Sequence, residues 1–140
     1  MQKKQKAKKG GVLIEIPIEI YRHDILIFCG YELESIFNKA KKLGFKELDD
    51  FREKLISSRK YDIGTTLNRN DRRIVIILWD MPKKATDYSI LYHEIYHAVD
   101  RISVSVDPNY SLSDRNGISE ARAYLYDYIA TEANKVLWNI

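Results

Sequence analysis

The chain has 140 residues, 45% hydrophobic and 31% charged, which fits one soluble globular domain able to bury its own core. Its single cysteine, Cys29, excludes an intramolecular disulfide and points to a reducing compartment. The net charge is +3, but Lys3, Lys4, Lys6, Lys8 and Lys9 supply five positive charges, so the remainder stands at −2. Residues 1–10 read as a disordered basic tail and residues 11–140 as a single domain. No aromatic–basic groove accompanies the tail, so nucleic acid is not the expected partner.

Ile14, Ile16, Ile18 and Ile20 alternate with Glu15, Pro17 and Glu19. That period of two predicts a strand with one buried face, and the proline places it at a sheet edge. The same polar interruptions exclude a signal core or a membrane span, so a soluble cytoplasmic protein is expected. Ile25 to Cys29 is a short apolar run ending at Gly30, either a second strand or the lead into a helix, with Cys29 a core thiol. Leu33, Ile36, Phe37, Ala40 and Leu43 recur at helical spacing until Gly44. A second helix is expected from about Glu47, with Leu48, Phe51 and Leu55 inward.

Residues 61–79 predict a hairpin. Thr65-Thr66-Leu67 leads into the polar turn Asn68-Arg69-Asn70-Asp71, and the return run Ile74 to Trp79 is apolar enough for a well-buried strand. Met81-Pro82 breaks it, and Thr86 or Asp87 can cap a helix running from Tyr88 to about Ser103. A polar loop over 104–116 precedes a final helix from near Ser119 carrying Ala121, Ala123, Leu125, Ile129, Ala130 and Ala133.

The helix from Tyr88 contains His93-Glu94-Ile95-Tyr96-His97, two of the three histidines in the chain. Residues four apart share a helix face, so both imidazoles can bind one Zn²⁺ while Glu94 reaches a metal-bound water as general base. A hydrolytic zinc site needs a third protein ligand. Asp100 and Ser103 stand where the metzincin extension needs glycine and histidine, which excludes that class. His23 lies far upstream, leaving a downstream carboxylate. Glu120 is the first candidate, in the first turn of the final helix beside the small residues Ala121 and Ala123; Asp100, Asp107 and Asp114 are weaker substitutes. Tyr124, one turn beyond Glu120, is the candidate donor to the oxyanion. Asp100 can orient a ligand imidazole or pair with Arg101 or Arg122. In zincins, whose motif this helix resembles, the strand nearest the cleft binds extended peptide by strand addition, and the 61–79 hairpin occupies that place in the sequence.

His93-Glu94-Ile95-Tyr96-His97 together with Glu120-Ala121-Arg122-Ala123 resembles the gluzincin pattern, H-E-x-x-H followed by E-x-x-A on a second helix. The stretch from Ile74 to Tyr128 is similar to small single-domain metallopeptidases encoded in phages and prophages. That resemblance implies Zn²⁺ held by His93, His97 and Glu120, with Glu94 catalytic and a peptide or protein as substrate. It also implies an α+β, minimal zincin-like fold: a small mixed β-sheet packed against the motif helix and a C-terminal glutamate-bearing helix. The competing expectation is a catalytically weak or inactive zincin-fold binding or virion-associated protein that keeps a structural zinc.

Overall fold

The computed structural model describes residues 11–106 and 115–139. It is a mixed α+β structure whose order is β1 (Val12–Ile18), a 3-10 turn (Glu19–Tyr21), β2 (His23–Cys29), α1 (Leu33–Lys42), α2 (Leu48–Tyr61), β3 (Gly64–Asn68), β4 (Arg73–Leu78), α3 (Ala85–Val106) and α4 (Arg115–Leu137). The four strands form one sheet in the order β1-β2-β4-β3. β1 runs antiparallel to β2, β2 parallel to β4, and β3 antiparallel to β4.

Strand position follows from side-chain pattern. Pro17 lacks a backbone donor and lies on β1, which pairs with β2 alone, as an edge proline must. β2 and β4 are central and covered on both faces, which explains their almost unbroken apolar runs. Ile14, Ile16 and Ile18 are buried as expected. Ile20 is not: the chain leaves the strand at Ile18 for the 3-10 turn, the alternation ends, and Ile20 is 81% exposed.

Each sheet face carries a helical layer. Ile14, Ile16, Ile25, Ile27, Ile74 and Ile76 face α3 and α4, burying Leu91, Ile95, Ala98 and Ile102 of α3 with Leu125, Ile129 and Ala133 of α4. Leu26, Phe28, Val75 and Ile77 face α1 and α2, against Ile36, Phe37, Phe51 and Leu55. The expected architecture named the motif helix and the last helix against the sheet; the two helices also expected over 32–43 and from about Glu47 form α1 and α2 and cover its other face.

Several termini have clear causes. α1 ends in a Schellman turn, with Phe45 N–H donating to the Ala40 carbonyl and Gly44 N–H to that of Lys41; Gly44 takes the φ of +76° that this turn needs. Thr86 or Asp87 was expected to cap a helix from Tyr88, and both lie inside its first turn. The helix instead begins at Ala85, and the Asp87 carboxylate reaches back from the first turn to accept from the backbone N–H groups of Lys83 and Lys84. Both long helices outrun their expected bounds, α3 to Val106 and α4 from Arg115. The expected tail over residues 1–10 and most of the expected 104–116 loop lie outside the described residues.

Candidate metal centre

His93 and His97 lie on α3 opposite its buried stripe. At 100° per residue, His93 is about 200° round from Leu91, and His97 shares its face. Both side chains are exposed. Their Nε2 atoms converge to 3.0 Å, with ring centroids 4.6 Å apart and planes at 90°. Two Zn–N bonds of ~2.0–2.1 Å at a tetrahedral angle hold their nitrogens about 3.3 Å apart, so the pair is close to a two-ligand geometry. The two nitrogens stand at hydrogen-bonding distance, a little closer than that spacing, and supply two of the three protein ligands that a hydrolytic zinc site needs.

Glu94 differs from its neighbours. It falls at the margin of the buried stripe and is 7% exposed. Its carboxylate is covered by β3, where the Thr66 hydroxyl lies 2.7 Å from Glu94 Oε1 and 3.1 Å from the Glu94 carbonyl. Gly64 makes this approach possible, because a Cβ there would stand 3.4 Å from Glu94 Cγ and 2.9 Å from Ile90 Cγ2. On the same flank, Arg101 donates to the Thr66 carbonyl at 3.3 Å.

β3 is the free edge on this side of the sheet. The Ile63 carbonyl accepts from Trp79 N–H and Arg69 N–H donates to the Arg73 carbonyl. Antiparallel pairing alternates, so the backbone groups of Gly64, Thr66 and Asn68 point away from β4. The sequence left undecided which hairpin strand forms the edge; it is β3, while the apolar β4 is interior.

The carboxylates and tyrosine drawn from α4 are placed differently. Glu120 is exposed and stands about 180° round the helix from the buried Ile129. Among the described residues, no group of three His, Cys, Asp or Glu side chains is arranged to hold a metal ion. The structure brings His93 and His97 together and turns the Glu94 carboxylate to Thr66; Glu120 joins no such group among the described residues. Tyr124, 68% exposed, lines a groove with Ile18, Ile20, Tyr21 and Tyr128, away from α3. Asp107 and Asp114 lie outside the described residues.

Arg122 is a charged α4 residue that turns towards the motif helix. It falls seven residues before Ile129, on the same stripe. Its guanidinium pairs with Asp100 at 3.5 Å and lies 5.3 Å from the centroid of the Tyr96 ring, which is 6.0 Å from that of His97. Asp100 thus takes the Arg122 partnership expected as one of its roles. His23 is buried at the start of β2, its Nδ1 hydrogen-bonded to the Tyr21 carbonyl at 2.7 Å, and belongs to the fold.

No family model, curated protein or solved structure matches the chain. A reading of its chemistry therefore rests on its own residues. Sequence reasoning did not single out Thr66, whose partner is 28 positions away; the available signal was a polar residue at an inward position of a strand. Arg122 had a stronger signal, its phase with Leu125 and Ile129. No helix among the described residues is long and apolar enough to cross a membrane.

Proposed function

We propose that this chain is a zinc-dependent metallopeptidase of minimal zincin-like fold, with His93 and His97 as zinc ligands and Glu94 as general base. The observation that carries the reading is the convergence of two imidazole Nε2 atoms at 3.0 Å on a helix that also carries the buried Glu94. Bound zinc would supply a Lewis acid and a water whose pKa is lowered to about 7. Glu94, adjacent to the first ligand, takes a proton from the attacking water and returns it to the leaving amine. The outward backbone groups of Gly64 and Asn68 on β3 offer an extended peptide a strand to pair with, while the Thr66 carbonyl between them is taken by Arg101. Glu120 is exposed on the side of α4 opposite Ile129, and Arg122, paired with Asp100 and set over Tyr96, is an α4 candidate to face a developing negative charge.

A second reading, a zinc-stabilised binding or virion-associated module without turnover, is favoured by one observation: the described residues bring no third donor to the histidine pair. Glu94→Ala separates the two. A peptidase variant keeps its zinc and loses hydrolysis of a peptide library, whereas a binding module keeps both zinc and partner affinity. Metal analysis of the wild type beside His97→Ala and Glu120→Ala tests the ligand set. Zinc lost in both supports Glu120 as third ligand; stoichiometric zinc surviving Glu120→Ala removes it.

A further inference from the structure

We infer that Thr66 is the positioning residue for Glu94: its hydroxyl, delivered from the edge strand, sets the orientation of the carboxylate on the helix that carries His93 and His97. The inference rests on the peptidase reading for its kinetic consequence, but the contact itself does not.

A threonine hydroxyl has one proton and two candidate acceptors here. The carboxylate oxygen at 2.7 Å lies within the range of a charge-assisted O–H···O⁻ bond, whereas the backbone carbonyl at 3.1 Å lies beyond the usual O–H···O distance. The proton therefore goes to Glu94 Oε1, leaving Oε2 as the oxygen free of this bond. Both side chains are 7% exposed, so water does not readily replace either partner.

The register makes Thr66 the strand residue suited to this task. It pairs with Ile76, whose side chain packs towards α3, so Thr66 faces the motif helix while Leu67 faces the opposite layer. Gly64, two residues earlier on the same face, leaves the room that lets helix and strand close on each other. Arg101 holds the Thr66 carbonyl from one turn beyond His97 and fixes the backbone that carries the hydroxyl. The strand on which a peptide would lie and the base that would act on it thus meet at one residue.

The test uses the full chain as wild type, Thr66→Val, Thr66→Ser, Glu94→Ala and the Thr66→Val/Glu94→Ala double variant. In zinc-free protein, Thr66→Val should lower Tm in the wild-type background and have little effect once Glu94 is alanine. Equal falls in both backgrounds overturn the inference. In zinc-loaded protein, Thr66→Val should lose about 10- to 100-fold in kcat, with KM and zinc content unchanged. Thr66→Ser, which keeps the hydroxyl, should restore the rate. An unchanged kcat in Thr66→Val overturns the inference and leaves the hydroxyl a structural role only. If valine is not accommodated, Thr66→Ala serves the same comparisons. Wild-type protein without turnover sinks the peptidase reading, and the zinc-free comparison still decides whether Thr66 holds Glu94.

Discussion

Replacing Gly64 with alanine measures how tightly β3 is drawn onto the motif helix. The added Cβ would stand 2.9 Å from Ile90 Cγ2, 3.1 Å from Leu78 Cδ2 and 3.4 Å from Glu94 Cγ. Gly64 is not among the positive-φ residues, so the strain comes from contact and not from backbone conformation. Ile90 is β-branched and on a helix, so its methyl cannot swing aside as the tip of a long side chain would. Overpacking of this kind costs ~1–3 kcal/mol, offset by ~0.4–1 kcal/mol from the reduced freedom of the unfolded chain. A net loss of about 0.5–2 kcal/mol follows. Unfolding entropy of ~2.1 cal/mol/K per residue converts this, for 140 residues, into a Tm fall of roughly 2–7 °C. Thermal melts of wild type and variant, followed by circular dichroism, measure it directly. A Tm that is unchanged or raised refutes the close approach and weakens the placement of Glu94 that depends on it.

Cys29 is fully buried at the end of β2, and burial pushes its thiol up to about 12. A thiol reagent at mildly alkaline pH should label it only on unfolding, and rapid labelling of the native protein would contradict a closed core. Asp71 sits in the β3–β4 turn, where burial raises its carboxyl but hydrogen bonds from the Arg73 backbone and guanidinium outweigh that and hold it below its ordinary value. A depressed folded value means the contribution is complete above pH ~4 and is lost as pH falls through it. The Tm gap between wild type and Asp71→Asn should therefore narrow on acidification; a gap constant down to about pH 2 would overturn this.

Periodicity made most elements legible, because the helical stripes and the alternation in β1 are local patterns imposed by burial. Strand order and direction were not, since the parallel pairing of β2 with β4 joins Asp24 to Arg73 across two intervening helices. Ile20 shows the limit of alternation, which continued in the sequence for two residues after the strand had ended. The histidine pair could be read directly, because its geometry is set by spacing within one helix. Glu120 was chosen from a motif and from its small neighbours; helix phase, also present in the sequence, sets it opposite Ile129 and aligns Arg122 instead. Thr66 needed the fold, for nothing local links position 66 to position 94.

The hairpin and motif helix have a consequence for how the molecule assembles. Thr66, His93, Glu94 and His97 all come from the uninterrupted stretch Gly64 to Val106, a hairpin followed by the helix that folds back onto it. Closing that hairpin joins positions six apart, Asn68 with Ile74, whereas the β2–β4 pairing joins positions 49 apart, Asp24 with Arg73. Loop-closure entropy rises by ~0.6 kcal/mol per doubling of length, so the longer closure costs about 2 kcal/mol more. The candidate centre is thus built from the low-contact-order part of the chain, and its residues can meet before the central parallel pair forms.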